Sequence, residues 1–543
     1  MNVPIADGQA GTLHLHLPIA DGQAGYPNFN VPAVSAHAGY RSTPSARKIP
    51  SMTELRTTEH LEALWSRHAS TIESLIERYN LPLHLFFVER MAAEAAGFFA
   101  VRDRLYPNMS IAFAVKSNPC RGAVRTASRL GLGTDVASEY ELQAALEEQV
   151  PPQSITCNGN AKSSRYLTMA VRAGAPIMVD NRDELDMLAD VCQAESTAAS
   201  ISLRFRGMPL SGLTSDDQST AADWTKFGFH VDEANELFSR VRGSAHLEFL
   251  GISAHIGTQI SRPAGYERLL TRFFALIEQA AEASLTVSRV NIGGGFPARF
   301  LTDNDAQTFQ RRLLDRLEGR SNVSDAVTWT DLPYGYEHVL RGAAPPYTWV
   351  GKAYWTDYPG SQMLEHVLQQ PIAGGKTTIE RLRDLGEPTL IVEPGRSLSA
   401  PAGITTCRVM GVKTVLGHPV IALDMGINNH GTNLIAPDIF PAAIVPRRAG
   451  DRPVEAFLAG RLCFSGDMIS KAKVPLNRMP KRGDLLVLYH TGAYGADHFA
   501  SHSCGFPRPA KVAIREDGTA ELWRRKEEFA DVFGDPSDLL SAD

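Results

Sequence analysis

Residues 113–119 read Phe113-Ala114-Val115-Lys116-Ser117-Asn118-Pro119. The run Ile111 to Val115 is short and apolar, as a strand buried on both faces must be, and it delivers one lysine to its carboxyl end. An Asn-Pro break follows, then helical spacing from Arg121 to Leu130. A lysine at the C-terminal end of a parallel strand stands where α/β barrels place catalytic groups. Desolvation there would lower its pKa and let its amine attack a carbonyl to form a Schiff base. A strand can equally end in a solvated lysine, so the rest of the chain decides.

Upstream, Thr53 to Tyr79 has helical spacing, Leu81 to Val88 reads as a strand, and Arg90 to Arg104 is helical again. Downstream, strand and helix patterns alternate. The strand candidates are Ile111–Val115, Thr134–Ala137, Ser154–Cys157, Ile177–Val179, Ile201–Phe205, Leu250–His255, Val287–Ile292 and Leu390–Glu393. Helical runs such as Glu139–Glu148, Ser163–Ala173 and Arg182–Cys192 fill the gaps. This predicts an α/β fold. A count of eight favours a (β/α)8 TIM-type barrel over the alternative, a doubly wound open sheet.

The segments around this core divide the chain. Residues 1–55 form an extension rich in Gly, Pro, Ser and Ala, in which Pro-Ile-Ala-Asp-Gly-Gln-Ala-Gly occurs at 4–11 and again at 18–25. Such a segment buries little and is expected to lack a fixed fold of its own. Residues 56–88 contribute to a β-domain and 89–400 make the barrel. The barrel carries an insertion at about 300–385 whose middle is aromatic: Tyr334, Tyr336, Tyr347, Trp349, Tyr354, Trp355 and Tyr358. An insertion of that length either shapes the functional face or forms a separate assembly surface. After Pro401 come short β-branched runs (Ile404–Val415, Val420–Leu423, Leu485–Tyr489, Lys511–Ile514) split by Gly and Pro, the texture of an all-β domain over 401–525. A charged tail closes the chain at 526–543.

The 543 residues carry a net charge of -6, which leaves no basic excess for a nucleic-acid partner. No apolar run is long enough to span a bilayer, and no secretory signal opens the chain, so a cytoplasmic protein is expected. The six cysteines, at 120, 157, 192, 407, 463 and 504, have neither CxxC spacing nor a metal-ligand pattern, which fits free thiols and no metal.

Other strand ends carry polar groups. His255-Ile256-Gly257-Thr258-Gln259 closes the sixth strand, Asn291-Ile292-Gly293-Gly294-Gly295-Phe296 the seventh, and Glu393-Pro394-Gly395-Arg396 the eighth. Three successive glycines let backbone N–H groups approach a phosphate closely, beside the last strands where barrels bind such groups. Arg396 adds a charge-assisted contact for the same anion.

Together these motifs resemble the fold type III pyridoxal-phosphate (PLP) decarboxylases, the family of diaminopimelate, ornithine and biosynthetic arginine decarboxylases. The matching stretches are 114–119, Asp-Val-Ala-Ser (135–138), Gly-Asn-Ala-Lys-Ser (159–163), 255–259, 293–296, 393–396, Cys-Phe-Ser-Gly-Asp (463–467) and Gly-Ala-Tyr-Gly (492–495), in the family order over residues 80 to 515. The resemblance implies an alanine racemase-like barrel joined to a β-domain, working as a homodimer with shared sites on a small amino-acid substrate. It implies that Lys116 holds PLP as a Schiff base, with Asp135 also at the cofactor and His255 stacked on the ring. Gly293, Gly294, Gly295, Thr258, Arg396 and Tyr494 would bind the phosphate. Glu393 would pair with the pyridine nitrogen, which favours decarboxylation over the racemisation run by relatives that place an arginine there. Cys463 would lie near Cα in the partner subunit's site. A racemase or epimerase on the same scaffold, and a non-catalytic PLP-binding protein, are the alternatives.

The substrate pocket departs from the family. Phe464 stands where these decarboxylases place the acid that holds the distal amine, and Ala436-Pro437-Asp438-Ile439-Phe440 replaces an Arg-Pro-x-x-Tyr pattern. Phenylalanine cannot offset the desolvation of an ammonium. The expected substrate is therefore not meso-diaminopimelate, unless Glu337 or Asp357 from the insertion supplies the missing carboxylate. Phe464, Asp467, Phe440 and His502 are the candidate pocket residues.

Overall fold

The computed structural model describes residues 58–208, 220–221, 223–322, 325–336, 355–372, 374–430, 439–495, 497–498 and 501–534. The repeated octapeptide, Tyr347, Trp349, Tyr354, Glu337 and Ala436 to Asp438 lie outside them.

The first strand, β1 (Leu83–Phe87), belongs to a second sheet described below. The next strands form the barrel: β2 (Met109–Ala114), β3 (Gly133–Val136), β4 (Ile155–Cys157), β5 (Ile177–Val179) and β6 (Ala199–Arg206). A two-residue β7 (Phe229–His230) pairs with β6, and β8 (Leu247–Ser253), β9 (Arg289–Asn291) and β10 (Thr389–Val392) complete the set. Every neighbouring pair in the barrel is parallel, and β10 returns to β2, which closes the ring of eight strands without β7. The strands are buried almost throughout because helices cover the outside. Side chains cap those helices at their starts. Ser138 accepts from the Glu141 amide, Ser163 from Tyr166 and Asn181 from Glu184.

All eight apolar runs read as strands lie in the barrel; Ile177–Val179 matches its strand at both ends, and the other seven are shifted by a residue or more at one end or both. Two shifts affect the site. β2 stops at Ala114, and Val115–Ser117 form a 3-10 turn that carries Lys116. β8 stops at Ser253, so His255 sits on the loop beyond it.

The second sheet contains β11 (Gly403–Val415), β12 (His418–Leu423), β13 (Ala442–Val445), β14 (Val454–Ala459), β15 (Val474–Leu476), β16 (Leu485–Tyr489), β17 (Ala510–Ile514) and β18 (Ala520–Arg524). β1 lies inside it, antiparallel to β11 and parallel to β17. Its alternation explains why it can. Leu83, Leu85 and Phe87 face the N-terminal helices Glu59–Arg67 and Ala69–Tyr79, while Phe86 faces the barrel core beside Trp523.

Between β9 and β10, helix Ser361–Gln369 lies against helix Val88–Leu105. The run around 325–336 attaches to the second sheet's loops: the Trp329 amide donates to Lys471 O at 2.7 Å and the Lys473 amide to Val327 O at 2.8 Å. Tyr336 is buried there with Ile439 and Ala472. Tyr334, Tyr336 and Trp355 thus share a cluster with Ala472, on the segment that directly follows Cys463–Asp467, while Tyr358 packs on the barrel core beside His366. No helix among the described residues is long and apolar enough to cross a membrane.

Candidate active site

β2 and β3 pair in register, Ala114 opposite Asp135, so the turn after β2 puts Lys116 beside that carboxylate. Lys116 Nζ donates to Asp135 Oδ2 at 2.8 Å. The lysine side chain is 39% exposed, and it lines a cavity at the barrel mouth. From there a chain of carboxylates and carboxamides crosses the barrel mouth. Asn158, just past β4, donates to Asp135 Oδ1 at 2.7 Å and to Glu393 Oε1 at 3.1 Å. Asn291, at the end of β9, donates to Glu393 Oε1 at 2.7 Å. Four strands supply these groups, so their spacing is set by the barrel itself.

The electrostatics correct one expectation. Burial does pull the Lys116 ammonium down, but the Asp135 and Glu393 carboxylates outweigh it, and the lysine is held above its ordinary range, not below it. Glu393 is pushed up to about 7, first by burial and then by Asp135. His255 is held well below its ordinary value by burial and by the Lys116 and Arg204 cations, so its ring is neutral. Its Nδ1 accepts from the Gly294 amide at 2.9 Å, which leaves the ring proton on Nε2.

Two cavities meet at Lys116, His255 and Glu393. The larger holds about 350 Å³ and is also lined by Asn158, Asn291 and Arg204. The smaller holds about 20 Å³ and is lined by Gly257, Thr258, Gly295, Gly395, Arg396 and Tyr494. Its walls are close because they are glycine: a Cβ at Gly295 would stand 2.8 Å from Gly257 O, and one at Gly395 2.9 Å from the Ala114 Cβ. The buried Arg396 guanidinium stacks on Tyr494, 4.5 Å from its ring centroid. Tyr494 in turn is locked to the lysine turn, its amide donating to Ser117 O at 2.8 Å, while Asn118 donates to Gly492 O at 3.0 Å. A buried arginine cation against glycine backbone, a lysine amine and a buried carboxylate are the donor set that would hold the phosphate, the aldehyde and the pyridine nitrogen of PLP.

The model of the family "Pyridoxal-dependent decarboxylase, pyridoxal binding domain" matches residues 98–327. Residues 98–327 thus carry the pyridoxal-binding domain of the PLP-dependent decarboxylases. Its relatives include the diaminopimelate decarboxylase of Bacillus subtilis (strain 168), 29% identical over 84% of this chain and 92% of that one. That of Pseudomonas aeruginosa is 25% identical over 86% and 95%. Among solved structures, the M. jannaschii diaminopimelate decarboxylase in complex with L-lysine has a TM-score of 0.66 at 21% identity, covering 86% of this chain and 94% of that one. The Vibrio vulnificus lysine/ornithine decarboxylase in complex with putrescine has a TM-score of 0.58 at 22% identity, covering 82% and 98%. With this domain and these relatives the protein is a PLP-dependent carboxy-lyase.

Within this decarboxylase, the residues read from sequence separate into two groups. Lys116, Asp135, His255, Glu393, Thr258, Gly295, Arg396 and Tyr494 converge on the two cavities. Gly293 and Gly294 turn their amides elsewhere, to Asn291 Oδ1 and His255 Nδ1, so they position side chains instead of facing the small cavity. Cys463 and Phe464 are exposed, on a loop that lines neither cavity. Asp467 is buried beneath that loop, where its two oxygens accept from the Ile427 and Leu462 amides, both at 2.7 Å; it pins the loop and cannot also face a substrate. Phe440 is buried in the second sheet's core between Phe300 and His430. His502 pairs with Glu527 at 2.8 Å at the surface. Asp357 is exposed and lines neither cavity.

Three residues of the site carried no role in the sequence reading. They are Asn158, Asn291 and Arg204, whose guanidinium is buried over Phe227 at 4.3 Å and 3.8 Å from Asp180. A charged residue near the end of the apolar strand Ile201–Phe205 was the signal for the last.

Proposed function

We propose that this enzyme decarboxylates an amino acid whose distal end carries no free ammonium, and that it does so in the cytoplasm as a homodimer with sites shared between subunits. The observation that carries this reading is Phe464: it is 53% exposed on the Cys463 loop, at the position where the diaminopimelate-type sequence pattern has an acid. Among the described residues the carboxylate lining the two cavities is Glu393, with Asp135 bonded to Lys116 behind it, and both are already committed to Lys116, Asn158 and Asn291. A distal ammonium would therefore be desolvated without an anionic partner. A less polar or bulkier side chain fits better.

When bound, PLP supplies the electron sink that takes up the pair left as the Cα–carboxylate bond breaks. The chain's residues do the rest. Lys116 anchors the cofactor through Nζ, and Asp135 Oδ2 is the nearest acceptor for the proton that Nζ must lose. Glu393, fixed by two carboxamides, keeps a proton at the pyridine nitrogen. Neutral His255 covers one face of the ring and excludes water from it. Arg396, Thr258, Tyr494 and the Gly295 backbone hold the phosphate. Cys463 of the partner subunit returns a proton to Cα.

The test is product analysis. The PLP-loaded enzyme is incubated in D2O with a broad panel of amino acids, and products are read by mass spectrometry. Loss of CO2 with one deuterium at Cα is expected for a substrate of low distal polarity. Turnover of meso-diaminopimelate in preference to all others would overturn the substrate reading. Deuterium at Cα with the carboxylate retained would overturn the role given to Glu393.

A further inference from the structure

Four of the six cysteines are buried; the two exposed ones, Cys463 and Cys504, lie together. The Cys463 amide donates to Cys504 Sγ at 3.4 Å. Since an amide nitrogen is one bond from its own Cα, Cys504 Sγ stands no more than about 5 Å from the Cys463 Cα. Disulfides join Cα atoms about 4.4–6.8 Å apart, and a Cys504 sulfur this close to the Cys463 backbone brings the pair into the neighbourhood of that range. The chain reaches this contact from two distant segments, across 41 positions of sequence. Cys504 is held in the left-handed region, φ +56, within the turn Ser503–Gly505, a conformation rare for a side chain of its kind. Its sulfur also lies 4.0 Å from the Ser503 hydroxyl.

We infer that Cys463 and Cys504 form a two-thiol oxidation site, closed reversibly to an intrachain disulfide by a small-molecule disulfide such as oxidised glutathione. The thiolate of one cysteine attacks the glutathione S–S bond, forming a mixed disulfide and releasing one glutathione thiolate. The second cysteine then attacks the protein sulfur of that mixed disulfide and releases the other glutathione. Two protein thiols give up two electrons and two protons, and one glutathione disulfide becomes two glutathiones. On the single chain these two thiols are exposed while the other four are buried, and in a shared site the oxidant reaches them by the route that admits substrate. Resting on the role proposed above for Cys463, closure removes the thiol that serves the partner subunit's site. The enzyme would then be switched off under oxidising conditions and restored by thiols.

The experiment treats the PLP-loaded enzyme with oxidised glutathione, then maps its peptides and counts free thiols, with and without dithiothreitol. A Cys463–Cys504 cross-linked peptide, a loss of two thiols and full recovery with dithiothreitol are expected. A Cys504→Ser variant is expected to stop at glutathione on Cys463. Two separate glutathione adducts in the wild type, a link between subunits, or an unchanged disulfide in Cys504→Ser would overturn the pairing. Activity should fall roughly 100-fold as the link forms. A link that forms with activity intact would leave the oxidation site standing and overturn the catalytic role of Cys463 instead.

Discussion

Asn291 Nδ2 donates to Glu393 Oε1 at 2.7 Å, while its own Oδ1 accepts from the Gly293 amide at 2.8 Å. The carboxamide is thus fixed at both ends and fixes the carboxylate in turn. If Glu393 keeps the pyridine nitrogen protonated, Glu393→Gln should retain bound PLP, seen in its visible absorbance, yet lower kcat on the order of 100-fold. Asn291→Ala removes a hydrogen bond that favours the charged carboxylate. The Glu393 pKa should rise further, and a kcat limited by its ionisation should shift to higher pH. An unmoved pH profile would show that Glu393 does not govern the rate.

The same carboxylate makes the stability of the PLP-free protein depend on pH. Its folded pKa, about 7, lies above the ordinary 4.5, so the folded state binds the proton more tightly than the unfolded one. The contribution is fully present below about 4.5 and is lost as pH rises through 7. Denaturant melts of the PLP-free protein should show this fall between pH 5 and 8. Glu393→Gln should reduce the fall and leave the part due to Glu141, which burial also raises to about 7, and PLP should reduce it likewise by occupying the carboxylate.

Gly294 tests the packing that positions these groups. A Cβ there would meet Glu393 O at 2.3 Å, a backbone atom with no room to retreat. Gly294→Ala should destabilise the fold by about 1–3 kcal/mol and weaken PLP retention. A thermal melt and a cofactor titration check both.

The barrel was legible in the sequence because a strand buried on both faces must be written as a short apolar run, and eight such runs are hard to mistake. Lys116, His255, Glu393 and Arg396 were legible because each stands at or just beyond a strand end. What could not be read locally was the pairing between ends. Asn158 and Asn291 earn their place only when β4 and β9 bring them to the same carboxylate, and no pattern along one strand announces that. The expected low pKa of Lys116 failed for the same reason, since Asp135 arrives from β3 by register. Asp467 and Phe440 differ in another way, since both are buried away from the two cavities: a motif fixes where a residue lies on the chain, not which way its side chain turns.

Asp467 illustrates the consequence. With both oxygens accepting backbone amides, it supports the Cys463 loop. Asp467→Ala leaves two amides without acceptors and should cost about 1–3 kcal/mol for each one that stays buried. The preference among substrates should not change, since nothing in the pocket is altered. A changed ratio of kcat/KM between two substrates, with stability intact, would return Asp467 to the pocket.

Phe464 is the residue on which the substrate reading turns. Its neighbour Cys463 is exposed with it, so a side chain at 464 is presented outward and can be exchanged without disturbing the core. Its ring does lie over Gly466, where a Cβ would come within 2.5 Å, so a smaller side chain loosens the loop but does not clash with it. Phe464→Glu should therefore fold, and a circular dichroism spectrum with an unchanged melt is the first control. The new carboxylate would offer a distal ammonium the charge-assisted partner that phenylalanine denies it. Measurable decarboxylation of meso-diaminopimelate or lysine, with a fall in kcat/KM for the natural substrate, is the expected result. A folded, PLP-loaded variant that gains nothing would mean that residue 464 does not face the substrate, and that specificity is set from another part of the shared site.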